Sequence, residues 1–221
     1  MDLGLKGKVA MVTGGSRGLG RAMAQALAEE EMYVSICARN SRELMEAAAE
    51  ITAASPIRRP AGAMVADVTK PEDMHRWIDD TVKQFGGIDV LVNNAGAAKV
   101  GSLAELPDSG WQESFDLNLF GPIRLARMCV PHMKTRSGGS IINISSIYGR
   151  ESGGPLAYNA SKAALISFTK MLAREFAPDG IRVNSIAPGS IIYPGGGWEW
   201  RFKENPTFER DFISHEMPAG R

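Results

Sequence analysis

Tyr158 and Lys162 stand four residues apart in Tyr158-Asn159-Ala160-Ser161-Lys162, a stretch that reads as a helix start. At that spacing a phenol and an ammonium share one helical face. A cation beside a phenol favours its ionised form, so such a pair can hold a labile proton near neutral pH. The pattern is frequent by chance. Its weight comes from Ser146, twelve residues upstream, and from a glycine-rich turn near the N-terminus.

That turn, Thr13-Gly14-Gly15-Ser16-Arg17-Gly18-Leu19-Gly20, lies between an apolar run at 9–13 and a helical pattern from Leu19. Gly14 permits a tight bend, Gly18 lets backbone approach a pyrophosphate, and Gly20 allows close helix–sheet packing. The helix start then offers free N–H groups and partial positive charge. An ordinary strand-to-helix turn is the plain alternative; the strand before and helix after favour a dinucleotide site. An acidic residue ending the second strand would bind a ribose 2′-hydroxyl. Here Ala38 is followed by Arg39 and Asn40, and Arg17 lies in the turn. Two guanidiniums suit a 2′-phosphate, so NADP(H) is expected ahead of NAD(H), unless both are solvated surface arginines.

Alternating strands and helices must position these groups. Apolar runs predict strands at 9–13, 32–38, 63–66, 88–92, 140–145 and 181–187. Helical spacing follows at 19–31, from an expected N-cap at Ser41 towards Ala53, from Pro71, over 111–134 as one long helix, and over 158–177. Continuous apolar strands between amphipathic helices predict a parallel sheet covered on both faces. The expected fold is α/β, one doubly wound domain over residues 1–221. The stretch 194–210, rich in glycine, aromatics and charge, reads as an inserted loop and helix.

The bulk numbers bound the function. The chain has 221 residues, 44% hydrophobic and 23% charged, with zero formal net charge. That suits one globular domain and gives no reason to expect nucleic acid or an anionic membrane as partner. Cys37 and Cys129 are the only cysteines, too few for a disulfide framework. No apolar signal core or membrane-length run is evident, so a cytoplasmic location is expected. His75, His132 and His215 are scattered, which argues against a metal site.

Taken together these motifs resemble the short-chain dehydrogenase/reductase family, including chains described as 3-oxoacyl-carrier-protein reductases, from about Leu5 to Arg221. The turn resembles T-G-x-x-x-G-x-G, Asn93-Asn94-Ala95-Gly96 matches N-N-A-G, and Ser146, Tyr158 and Lys162 match the catalytic set. The resemblance implies a Rossmann fold, a dimer or tetramer, and cofactor contacts from Gly14, Ser16, Arg17, Gly18, Leu19, Gly20, Arg39, Asn40, Asp67, Val68, Asn94, Ala95, Gly96, Tyr158, Lys162, Pro188, Gly189 and Ile191. Asn118 takes the place of the family's helix asparagine, implying support for a water chain to Lys162. Tyr193 falls where many relatives carry a threonine. Met217-Pro218-Ala219-Gly220-Arg221 matches a segment that relatives follow with another helix and strand, so a missing tail is expected.

The implied chemistry is hydride exchange between a nicotinamide and a carbonyl or secondary alcohol. Tyr158 would be acid and base, and Ser146 would hold the substrate oxygen. An ammonium at about 4 Å would favour the phenolate by about 4 kcal/mol at an effective dielectric of about 20. Residues 190–215 would form a substrate lid hinged at Gly195-Gly196-Gly197, with Trp198, Trp200 and Phe202 as its apolar face or as an oligomer contact. Two rival functions stand beside this one. One is a cofactor-binding protein without turnover; the other is an epimerase or dehydratase on the same frame.

Overall fold

The computed structural model describes residues 2–217. The segment after Met217, on which the expected continuation turns, lies outside the described residues. Contacts divide the chain into two units, residues 1–187 and residues 188–221.

Strand β1, Val9–Thr13, is buried along its whole length, as an apolar run with no polar alternation requires. It lies at the middle of a six-stranded parallel sheet with β2 (Tyr33–Ala38), β3 (Gly62–Val65), β4 (Val90–Asn93), β5 (Gly139–Ile144) and β6 (Ile181–Ile186). The order is β3-β2-β1-β4-β5-β6, so the chain reverses its winding direction between β1 and β4. In such sheets the crevice beyond the carboxyl ends of the strands at that reversal is where ligands bind.

Period-two alternation assigns each strand residue to one of two cores. Ala10, Val12, Ile36 and Val92 pack against helices α1 (Gly18–Glu29) and α2 (Ser41–Ala54). Met11, Leu91 and Ile141 pack with Trp77 and Ile78 of α3 (Pro71–Phe85), Leu125 and Cys129 of α5 (Gly121–Thr135), and Leu172 of α6 (Leu156–Phe176). Burial holds the Cys129 thiol up at about 12 and raises Cys37 likewise, so both are inert core residues. Among the described residues strand β6 forms one edge of the sheet, with Arg182 and Asn184 exposed.

The expected strands and helices are present, with two corrections. The N-cap of α2 is Asn40, whose side-chain oxygen accepts the Glu43 N–H at 3.3 Å, and Ser41 is the first helical residue. The single long helix expected over 111–134 is divided. It comprises α4 (Asp108–Phe115), a π-helical turn at Asp116–Phe120, and α5.

The second unit contains α7 (Gly197–Glu204) and α8 (Pro206–Glu216). Trp198 and Phe202, one turn apart on α7, meet Phe208 and Phe212 of α8 with ring centroids 4.7–6.4 Å apart. Trp200 is 64% exposed. Helical geometry therefore separates the aromatics that alternate in sequence: two form a core and one points away from it.

Candidate active site

The glycine turn is bent where expected, with Gly14 and Gly18 in the left-handed region at φ 64° and 55°. It is braced across the winding reversal. Thr13 Oγ1 accepts the N–H groups of Asn94 and Ala95 at 2.8 and 2.9 Å. Asn94 Nδ2 donates to Thr13 O at 2.9 Å and Gly14 O at 3.3 Å. Asn94 and Ala95 thus support the turn from β4. Thr13, the first residue of the turn motif, belongs to the same brace.

Two close approaches define the cradle. A Cβ at Gly20 would stand 2.3 Å from Gly14 O, and one at Gly96 would stand 2.8 Å from Asn118 Oδ1 and 3.4 Å from Lys162 Nζ. Helix α1 starts without a side-chain cap at Arg17 and without an acidic residue in its first turn. Its first N–H groups are therefore open towards an anion. Ser16 is buried in the turn, and Leu19 lies in the first turn of α1.

Arg39 and Asn40 are exposed at the end of β2. Asn40 spends its side-chain oxygen on the α2 cap, which leaves its amide to contact a ligand. Burial alone would raise the Asp67 carboxyl. The Thr69 amide and hydroxyl, with Arg39 and Lys70, more than offset this and hold it below its ordinary value. Asp67 Oδ1 accepts both Thr69 bonds, at 2.9 and 2.8 Å. Val68 is buried in the core, and Gly121 lies against its backbone. Pro188, Gly189 and Ile191 belong to the second unit.

Asn118 accounts for the π-turn. Its Nδ2 donates to Ser114 O at 2.9 Å, taking the carbonyl that a regular helix would offer to the Asn118 backbone N–H. The same amide reaches Ala97 O at 2.9 Å, while Oδ1 accepts the Ala97 N–H at 3.2 Å. Asn118 is fully buried and fixes the loop after β4 beside Lys162.

Lys162 is 3% exposed. Its Nζ donates to Ile144 O at 2.6 Å and lies 5.6 Å from the Tyr158 ring centroid. Two of its three N–H groups have no protein acceptor among the described residues. Ser146, which ends the extended chain after β5, accepts the Tyr148 N–H on Oγ at 3.2 Å, so its own hydrogen is free to be donated elsewhere.

Below this site a buried polar chain ties the sheet to α6. Asn93 Nδ2 donates to Asn143 Oδ1 at 2.8 Å, Asn143 Nδ2 to Thr169 Oγ1 at 2.9 Å, and Thr169 Oγ1 to Leu165 O at 2.7 Å. Asn143 immediately precedes Ile144, and Thr169 lies two turns beyond Lys162 on the same face. The chain therefore fixes the strand–helix spacing that presents Ile144 O to Lys162. Sequence reading misses both features. A backbone carbonyl leaves no mark in the residue code, and the buried chain joins residues 50 and 26 positions apart.

The electrostatics differ from the sequence expectation. Burial raises the Tyr158 phenol; the Ser146 hydroxyl beside it partly offsets this, and Tyr148 raises it further. The Lys162 amine donates to Ile144 O and lies over the Tyr158 ring, 5.6 Å from its centroid. Burial also pushes Lys162 itself down to about 8. The unfolded chain then holds more protons between about pH 8 and 10.5, so wild-type stability gains with rising pH in that window, and the cost of burial is full below it. Taking melting temperature of Lys162→Met minus wild type, we expect this difference to shrink as pH climbs from 8 to 10.5. A constant difference in thermal melts would contradict it.

The residues fit a nicotinamide dinucleotide on structural grounds alone. The glycine cradle admits no side chain, the start of α1 is uncapped, and Lys162 keeps two open donors beside Gly96. The comparisons agree. The sequence pattern of the short chain dehydrogenase family matches residues 8–194. The chain is 40% identical over 186 residues to the 3-oxoacyl-[acyl-carrier-protein] reductase FabG of Staphylococcus epidermidis, covering 84% of this chain and 75% of the relative. It is 37% identical over 202 residues to dehydrogenase/reductase SDR family member 4 of Pongo abelii, covering 90% and 72% respectively. The crystal structure of L-sorbose reductase from Gluconobacter frateurii, complexed with NADPH and L-sorbose, superposes with a TM-score of 0.92 at 35% identity, covering 100% of this chain and 86% of that one. The fold, the braced glycine turn and these matches make the chain a member of the short-chain dehydrogenase/reductase family and an NAD(P)-dependent oxidoreductase.

Proposed function

We propose that the protein reduces a ketone to a secondary alcohol with NADPH, and runs the reverse with NADP, using Tyr158 as the proton donor and acceptor. The observation that carries this is the grouping of three functions at the ends of β5 and α6. Lys162 is buried with two open donors, Ser146 has a free hydroxyl hydrogen, and Tyr158 stays protonated through neutral pH. A protonated phenol suits the donor's role in reduction.

Ser146 donates to the substrate carbonyl oxygen and fixes its place. When bound, the reduced nicotinamide supplies the hydride. Tyr158 gives its proton to the oxygen as negative charge develops there, and in the reverse direction takes it back. Lys162 holds ribose hydroxyls with its two open N–H groups. Asn118 holds the loop at Ala97 so that Gly96 stays clear of Lys162.

Preference for the phosphorylated cofactor is supported by Arg17 and Arg39, by the absence of an acid ending β2, and by the NADPH bound in the L-sorbose reductase. Those arginines can meet a 2′-phosphate with paired N–H donors. We expect kcat/KM for NADPH to exceed that for NADH by about 10-fold or more, a difference of about 1.4 kcal/mol. Arg39→Asp is expected to reverse the order. Initial rates of cofactor oxidation with a panel of ketones test both claims; equal use of the two cofactors by wild type would remove the NADP assignment. Consumption of NADPH in step with alcohol formed separates a reductase from an epimerase or dehydratase, which would form product without net cofactor use.

A further inference from the structure

The turn after β5 carries a second phenol that the mechanism above does not use. Tyr148 lies in the 3₁₀ turn Ile147–Gly149, two residues beyond Ser146. Its ring is held on glycine backbone. A Cβ at Gly153 would stand 2.8 Å from Tyr148 Cε1, and one at Gly154 would stand 2.7 Å from Cδ2 and 3.0 Å from Cε2. These are opposite edges of the ring, so the ring lies across the Gly153–Gly154 backbone at a distance only glycine permits. Both glycines are in the left-handed region, at φ 124° and 71°, which further restricts those positions to glycine.

The same turn is pressed onto α6. A Cβ at Gly149 would stand 2.9 Å from the Lys162 carbonyl carbon, and one at Gly154 would stand 3.2 Å from Asn159 Oδ1, next to Tyr158. Tyr148 is also close enough to Tyr158 to disfavour the ionisation of Tyr158. Among the described residues the Tyr148 hydroxyl has no protein hydrogen-bond partner. A ring fixed on its glycines, with an uncommitted hydroxyl, therefore sits in the turn that follows Ser146 and packs on the helix that carries Tyr158.

A ketone oxygen accepts two hydrogen bonds. Ser146 and Tyr158 fill both, so a third donor at this place addresses another oxygen of the same substrate. We propose that Tyr148 is a specificity-determining residue whose hydroxyl binds a hydroxyl on the carbon next to the reacting carbonyl, making the protein selective for α-hydroxyketones over plain ketones. This rests on the reductase reading and narrows its substrate class. A ring held in place before binding loses little freedom on contact, and a site built to bond a hydroxyl discriminates against the analogue that lacks one.

The test uses the full chain with NADPH and a matched pair of probes, α-hydroxyacetophenone and acetophenone. Wild type is expected to favour the hydroxyketone by about 10-fold or more in kcat/KM, the value of one well-placed hydrogen bond. Tyr148→Phe keeps the ring on its glycines and removes only the oxygen, so it should lower kcat/KM for the hydroxyketone by about that factor and leave acetophenone unchanged. Equal loss on both probes, or no loss on either, overturns the proposal while the reductase reading stands. A second measurement does not need turnover. With NADPH bound, Tyr158→Phe should bind the hydroxyketone more tightly than acetophenone by fluorescence titration, and the added Tyr148→Phe should erase the difference. If wild type turns over neither probe, this titration still decides the role of Tyr148: a preference erased by Tyr148→Phe supports it, and no preference overturns it.

Discussion

Tyr158→Phe is expected to lower kcat for ketone reduction by about 1,000-fold, within the range of about 100- to 10,000-fold seen for loss of a positioned acid or base. The change deletes one oxygen and keeps the ring. The partly buried ring rests beside Lys162 Nζ, which keeps its bond to Ile144 O in the variant. Fold and cofactor affinity should therefore persist, with the NADPH dissociation constant moving by less than about 3-fold, under about 1 kcal/mol. Single-turnover kinetics with NADPH titration would separate the two effects. Retention of a tenth or more of wild-type kcat would show that another group delivers the proton and would remove Tyr158 from its proposed role.

Gly20→Val should have an effect of similar size on binding rather than on chemistry. Even a Cβ at Gly20 would meet Gly14 O at 2.3 Å and Asn94 Nδ2 at 2.4 Å. Gly14 O is backbone, so it cannot swing aside as a side chain would. Relief requires the turn to move away from α1, which breaks the brace from Asn94 and carries the phosphate-binding amides out of place. NADPH affinity is expected to fall by about 100-fold or more, about 2.7 kcal/mol. Far-ultraviolet circular dichroism should confirm that the sheet persists, since the site lies at one end of the strands. A well-folded variant that bound NADPH with wild-type affinity would show that the turn does not hold the pyrophosphate.

These effects trace back to different levels of information. The strand and helix sequence was legible from the chain because its cause is local. Apolar runs such as Val9–Thr13 and Val90–Asn93 are buried on both faces, and the helices repeat their apolar residues at helical spacing. The glycine turn was legible for the same reason, since backbone freedom at Gly14 belongs to the residue itself. So was the placement of Tyr158 and Lys162 on one helix face.

What the chain did not disclose depends on residues distant in sequence. The sequence pointed to Ser41 as the cap of α2, and in the structure Asn40 is the cap, its side-chain oxygen accepting the Glu43 N–H. A continuous helical pattern at 111–134 gave no warning of the π-turn, which exists because buried Asn118 bonds both Ser114 and the loop at Ala97. The acidity of the Tyr158–Lys162 pair runs opposite to the expectation from spacing. Four residues of separation made Lys162 a neighbour of Tyr158. Burial then raised the phenol and lowered the amine, and a carbonyl 18 residues upstream took the ammonium's bond. Residue type and spacing are enough to nominate Tyr158, Lys162 and Ser146 as candidates, because those are properties of short segments. Solvent exclusion and long-range partners set their charge states, and only the folded chain brings those together.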